Sequence, residues 1–306
     1  MPPDLTLIGV PSSAGAHSVG QEKAPYHLRR AGFPEALETA GFRVDDRGDL
    51  PLALFRAGSP DRRQQNLGQV VRVAGRVADE VAAASARGST PVVLGGDCTI
   101  TVGVLAGLAR ADADLGLLYF DGDADLTTPA TSGSGIFDSM GVAHMIGLDG
   151  AAPALARLGP RFPLLPEDRV ALFGFHPDEL GPVGQAVLDA SAVLSYPVTG
   201  FAGRPAAAAA AALAALEARA GTVLVHFDVD VIDSGDFPLA DYPHFNLGLT
   251  FDDAIECLRV FCASPKLAGL VLTEVNPDHD PDGTLVPRLA AQVVKALAGQ
   301  REAAMA

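Results

Sequence analysis

The stretch L-G-L-L-Y-F-D-G-D-A-D-L, Leu115 to Leu126, decides how this chain is read. An apolar run is followed by three carboxylates at alternate positions, Asp121, Asp123 and Asp125. A short continuous apolar run bounded by turn residues fits a strand covered on both faces, as in a parallel sheet. In extended backbone, residues i, i+2 and i+4 point the same way. The three carboxylates therefore crowd onto one side and repel one another unless something positive lies among them. A bound metal is the expectation.

The same pattern recurs along the chain. L-T-L-I-G-V from Leu5, T-P-V-V-L from Thr90, R-V-A-L-F from Arg169, G-T-V-L-V-H-F from Gly221 and L-A-G-L-V-L-T-E-V from Leu267 all read as buried parallel strands. Helical patterns separate most of them, which implies one α/β domain over residues 1–306, a mainly parallel sheet with helices on both faces. In such sheets chemistry gathers at the carboxyl ends of the strands. Those ends carry G-G-D-C-T (Gly95 to Thr99), D-G-D-A-D, D-V-D-V-I-D (Asp228 to Asp233) and E-V-N-P (Glu274 to Pro277). Asp121, Asp123, Asp125, Asp228 and Asp230 would form a multi-carboxylate site, with Cys98 or Asp97 nearby. Oxygen-rich sites suit Mn²⁺ or Mg²⁺, and two such ions can share a bridging carboxylate and a water that becomes a hydroxide nucleophile.

The formal net charge of -15 and a pI of about 4.7 disfavour a nucleic-acid partner, since no basic stripe is present. Small molecules and metals fit better. The start M-P-P-D-L-T-L-I-G-V has no charged leader before a long apolar core, so the cytoplasm is the expected location. The alanine-rich segment from Pro205 to Ala220 reads as a surface helix too weakly apolar for a membrane span. Cys98, Cys257 and Cys262 make neither a disulfide framework nor a C-x-x-C motif, and the last two read as small core residues of an amphipathic helix.

In order along nearly the whole chain, these motifs resemble the ureohydrolase family, the arginases and agmatinases that hydrolyse guanidino groups with two Mn²⁺ ions. The resemblance is carried by I-G-V-P-S-S-A-G, K-A-P-Y-H-L-R-R-A-G, R-G-D-L (Arg47 to Leu50), G-G-D, the D-x-D-x-D cluster, S-G-I-F-D-S-M, F-D-V-D-V-I-D and E-V-N-P. It implies the three-layer arginase-like fold and a trimer or hexamer of identical chains. It also implies that Asp121 and Asp228 bridge two ions, with Cys98 and Asp125 completing one set and Asp123 and Asp230 the other. Glu274 stands where the family contacts the guanidinium of its substrate. Thr127, Ser134, His176 and Glu179 stand where arginases hold the amino-acid head.

Three imidazoles of the family pattern are exchanged here. The G-G-D motif continues with Cys98 instead of His, the middle of the D-x-H-x-D cluster is Asp123, and the proton-shuttling His position falls at Asp138. Four Asp and two neutral His balance two divalent ions. Five Asp leave such a site at about -1, or about -2 with a Cys98 thiolate. The added charge makes metal-bound water a weaker acid but attracts a cationic substrate. Cys98 shifts preference towards Zn²⁺ or Fe²⁺ in its half of the site, or leaves that half empty.

Other imidazoles lie within reach. His226 alternates with Asp228 and Asp230 but sits one strand step deeper, and reads as a core histidine more than as a rescuing ligand. His244 and His279, in loops, could approach the site mouth. The reading that follows is a hydrolase of a guanidino, hydroxyguanidino, amidino or related C–N bond, acting through a metal-bridging hydroxide. Asp125 would accept a hydrogen bond from the nucleophile, Asp138 or His244 would deliver the proton, and Glu274 would hold the cationic head. The alternatives are a family descendant that only binds a ligand or partner, and a one-metal amide hydrolase.

Overall fold

The structure, a computed structural model, describes residues 4–59, 61–111 and 114–305. Eight strands form one sheet: β1 (Asp4–Gly9), β2 (Arg43–Asp49), β3 (Thr90–Leu94), β4 (Leu115–Phe120), β5 (Val170–Phe173), β6 (Leu194–Tyr196), β7 (Thr222–Asp228) and β8 (Leu267–Thr273). All pair in parallel, in the order β2-β1-β3-β8-β7-β4-β5-β6. Among the described residues, ten α-helices accompany them: α1 (Ala24–Arg30), α2 (Phe33–Thr39), α3 (Leu67–Ala86), α4 (Ile100–Leu108), α5 (Gly141–Met145), α6 (Pro153–Ala156), α7 (Gly181–Ala190), α8 (Pro205–Glu217), α9 (Phe251–Cys262) and α10 (Leu285–Met305).

The pleat divides the molecule into three layers. Along β4, Leu117 and Tyr119 enter a core shared with α3 and α4, while Leu118 and Phe120 enter the opposite core with α8, α9 and α10. Both faces are covered, which is why every β4 residue is buried and why its sequence shows no polar alternation. The expectation of a parallel α/β sheet between two helical layers is met.

Two strands escaped the sequence reading. The segment R-V-D-D-R-G-D of β2 lies at one sheet edge with most residues exposed, so it carries no apolar run. At the other edge β6 is only three residues long and none of them is fully buried. Edge strands of this kind, short or charged, resist pairing with another chain. The alanine-rich segment does form a helix, α8, with Pro205 at its first turn, but it ends at Glu217 and buries Ala209, Ala212 and Leu216. Cys257 and Cys262 are buried in α9 with free thiols pushed up to about 12 by burial, as small core residues would be. Among the described residues, no helix is long and apolar enough to cross a membrane.

Candidate metal centre

The carboxyl ends of β3, β4, β7 and β8, neighbours in the sheet, open onto one cavity of about 350 Å³. After β3 the chain turns through Gly95 and Gly96, and a Cβ on Gly96 would stand 2.2 Å from the Ser12 carbonyl oxygen. Only glycine permits that approach. The turn places Cys98 just ahead of α4, lining the cavity. Asp97 faces the other way, its Oδ2 accepting from Ser12 Oγ at 2.9 Å and Gly15 N at 3.1 Å. Cys98 rather than Asp97 therefore looks into the site.

The aspartates of β4 and β7 brace each other. Asp121 Oδ1 accepts from Asp123 N, and Asp228 Oδ1 from Asp230 N, both at 2.7 Å. Asp230 Oδ1 accepts from Gly122 N at 2.9 Å, tying the two strand ends together. Asp228 Oδ2 receives Cys98 Sγ at 2.5 Å and Thr273 Oγ1 at 3.1 Å. Two site residues, Asp125 (φ 52°) and Glu274 (φ 60°), adopt left-handed backbone that side chains other than Gly, Asn and Asp avoid. For Glu274 the conformation is costly, and such strain collects at functional sites.

Three groups of side-chain donors result among the described residues. Cys98, Asp121, His226 and Asp228 each offer one atom, and these lie within 4.8 Å of one another. Asp123, Asp230 and His244 do the same a short way along the floor, and Cys98 also groups with Asp138 and Glu274. Asp125 joins none of them: its Oδ2 is held by the Tyr119 hydroxyl at 2.5 Å, although the residue lines the cavity.

Thr127, Ser134, Asp138 and Glu179 line the cavity, and Glu274 lies at its depth. His176 does not. Although the family resemblance set it beside the substrate's head, its Nδ1 accepts from Asp178 N at 3.3 Å and caps the turn Pro177–Glu179. His279 is also turned away, with Nδ1 at 2.8 Å from the Ala240 carbonyl oxygen. His244 is not at the mouth but 3 % exposed beneath it, against Asp123, Asp230 and Glu179. His226 is fully buried, yet its Nε2 reaches 3.3 Å from Asp121 Oδ2 and 3.7 Å from Cys98 Sγ. Its alternation with Asp228 was the available signal. Residues with no such signal include His17 and Tyr242, packed edge to face at 5.8 Å on the cavity wall. Asp241 is another: it accepts from Ser18, Gln21 and Asn276 behind that wall.

Burial, followed by mutual repulsion, raises the carboxyl groups of Asp121, Asp228 and Glu274 well above their ordinary values and Asp123 to about 7. The same forces push the Cys98 thiol up. Burial holds His226 down, to about 3. It also opposes a charge on His244, but Asp230, Asp123 and Glu179 outweigh it and lift that imidazole to about 9. Among the described residues, no Lys or Arg lines the cavity to offset this concentration of acid. The donor atoms fit divalent metal: S, N and O ligands converge, and His244 Nε2 and Glu274 Oε1 are buried with no hydrogen-bond partner.

A parallel α/β sheet between two helical layers, with acidic, sulfur and imidazole side chains gathered at the carboxyl ends of its strands, defines a three-layer α/β protein with a candidate metal centre. The arginase family model matches residues 3–299, and the chain belongs to that family. It is 29% identical over 286 residues to the arginase of Bacillus caldovelox, covering 90% of this chain and 92% of that one. Arginase-1 of Homo sapiens is 28% identical over 278 residues, covering 89% and 85%. The solved Bacillus caldovelox structure superposes with a TM-score of 0.84 at 26% identity, over 98% of each chain. Members of the family are hydrolases that use divalent metals on small guanidino-type substrates.

Proposed function

We propose that this single arginase-like domain is a metal-dependent hydrolase of linear amidines, cleaving a C–N bond in a cationic guanidino, hydroxyguanidino or amidino compound. The observation that carries the reading is the convergence of donor atoms at the floor of a cavity that also holds Glu274, a buried carboxylate with one oxygen free of protein partners. Cys98, Asp121, Asp123, Asp228 and Asp230 would hold the metal, Mn²⁺ or an ion of similar size. When bound, it supplies Lewis acidity that makes a water nucleophilic at neutral pH.

The remaining roles belong to the chain's own side chains. Glu274 receives the cationic head, and the acid-lined, cation-free wall draws it in. Asp125, held in place by Tyr119, accepts a proton from the attacking water. As the C–N bond breaks, the departing nitrogen needs a proton. Asp138 is placed to give it: it lines the cavity, and burial and then Asp97 raise its carboxyl group well above the usual range. Thr127, Ser134 and Glu179 contact the substrate's tail. We take the protein to assemble as a trimer or hexamer, as the family resemblance implies, and to work in the cytoplasm.

The test is turnover of a guanidino and amidino panel, with metal present and after chelation. Metal-dependent release of urea or ammonia, lost in Asp228→Ala, is expected. A fully metal-loaded protein that turns over none of them would rule the reading out. One observation favours a second reading. Because Asp125 is tied to Tyr119, the Cys98 half could act with one ion as an amide hydrolase. Turnover of simple amides at one metal per chain would identify it.

A further inference from the structure

We propose that His226 and His244 are metal ligands, so that this chain holds one ion on Cys98, Asp121, His226 and Asp228 and a second on Asp123, Asp230 and His244. The proposal rests on the reading of the cavity as a metal centre and names its ligands. Neither histidine belongs to the G-G-D-C or D-G-D-A-D motif. One arrives from the interior of β7 and the other from the loop between β7 and α9, towards the two places where those motifs carry Cys98 and Asp123.

His226 is built as metal-binding imidazoles are. Its ring lies flat on Tyr119, with centroids 4.0 Å apart and planes 4° from parallel, so it cannot swing. Thr101 Oγ1 stands 2.8 Å from Nδ1, the outer partner that fixes ring orientation, while Nε2 faces Cys98 and Asp121.

His244 shows the complementary sign. Its Nε2 is buried without a qualifying hydrogen bond, 3.5 Å from Asp230 Oδ2 and 3.8 Å from Asp123 Oδ2. Those separations are too long for good hydrogen bonds and suit atoms that share an ion. Its Nδ1 faces Glu179 Oε1 at 3.7 Å. His144 provides the contrast of a buried histidine that is purely structural: Nδ1 is bonded to the Met140 carbonyl oxygen at 2.7 Å, and Nε2 accepts from Ala152 N at 3.0 Å. Both of its nitrogens are satisfied by backbone, and no carboxylate set surrounds it.

The ligand chemistry then sets the metal. A thiolate and an imidazole beside two carboxylates make the Cys98 half borderline-soft, selecting Zn²⁺, Fe²⁺ or Co²⁺ over Mn²⁺. The half at His244 keeps one nitrogen and two carboxylates, a harder set that discriminates less against Mn²⁺ than the Cys98 half does.

The experiment is X-ray absorption on the wild-type full chain loaded with Zn²⁺, with elemental analysis of the same sample. The expected result is two ions per chain, one sulfur at about 2.3 Å and imidazole scattering at about 2.0 Å, averaging one imidazole per zinc. His226→Gln and His244→Gln, measured by competition against a chelator, should each weaken one of the two ions on the order of 100-fold. A shell of oxygen alone, or zinc affinity unchanged in both variants, would overturn the assignment. Imidazole-bound zinc with no turnover on the panel above would sink the hydrolase reading and leave this one standing. Turnover with an oxygen-only shell would do the reverse.

Discussion

Asp125 and Glu274 show how much of this site is decided residue by residue. Both are carboxylates at strand ends, both have positive φ, and both line the cavity. Their positions in D-G-D-A-D and E-V-N-P were legible in the sequence, because strand ends in a parallel sheet are where acidic groups collect. Their backbone conformation was not, since Glu carries no preference for left-handed geometry and only the surrounding packing imposes it. Asn tolerates the left-handed region as well as Asp does. Asp125→Asn should therefore keep the fold, with the midpoint of urea unfolding equal to or slightly above that of the wild type, because a buried carboxylate among carboxylates is neutralised. Turnover should fall by about 10²–10⁴-fold if Asp125 is the proton acceptor. Undiminished turnover would remove it from that role.

At the scale of elements, the placement of Cys98 depends on how α4 sits on α3. Gly103 and Gly107, one turn apart on α4, let the helices approach so closely that added Cβ atoms would stand 2.5 Å from the Ala74 and 2.7 Å from the Ala78 carbonyl oxygens. Those obstacles are backbone and cannot rotate away. Gly103→Ala should destabilise the protein by about 1–3 kcal/mol in chemical unfolding and lower metal affinity by displacing Cys98. A fully stable variant would show that α4 can shift without cost. Interior strands announced themselves through apolar runs because they are covered on both faces. Edge strands β2 and β6 did not, because a strand hydrogen-bonded along one side needs neither apolar residues nor length. His176 makes the same point: capping a short turn is a local bargain between neighbours, indistinguishable in sequence from reaching a substrate.

A third helix-scale feature has a pH signature. Asp280 precedes α10 and accepts from Thr284 N, Leu285 N and Val286 N at 2.9–3.1 Å. Burial opposes ionisation, but those bonds win and hold its carboxyl group below the usual value. A depressed folded pKa contributes stability that is full above the unfolded value of about 4 and is lost as pH falls through the folded one. Asp280→Ala should cost about 0.5–2 kcal/mol at neutral pH, and less as the solution is acidified below pH ~4. A constant difference across that range would show that the cap does not depend on charge.

For the whole molecule, the acidic centre couples metal to stability. Without metal, the carboxyl groups at the cavity have raised folded values, Asp123 at about 7. The folded chain then binds more protons than the unfolded one between about pH 4 and pH 7, so its stability falls as pH rises through that window. Metal reverses the slope, since ligation requires deprotonated groups. Thermal melts of chelated and metal-loaded protein between pH ~5 and pH ~8 should therefore diverge, with the loaded form gaining most at the alkaline end. Parallel curves would mean that the centre does not hold metal in the folded chain.

The parallel α/β architecture and the acid-rich strand ends were legible along the chain, because hydrophobic runs and the order of motifs are local properties. Set against the family pattern it resembles, the sequence also carries Cys98, Asp123 and Asp138 where that pattern leads one to expect imidazoles. Only the tertiary structure decided where other imidazoles go. His226 and His244 are 18 residues apart on different elements, and each meets its carboxylates across the sheet or beneath a loop. Such meetings are set by strand order and helix packing, which depend on the burial of the whole core and not on the spacing of residues along the chain.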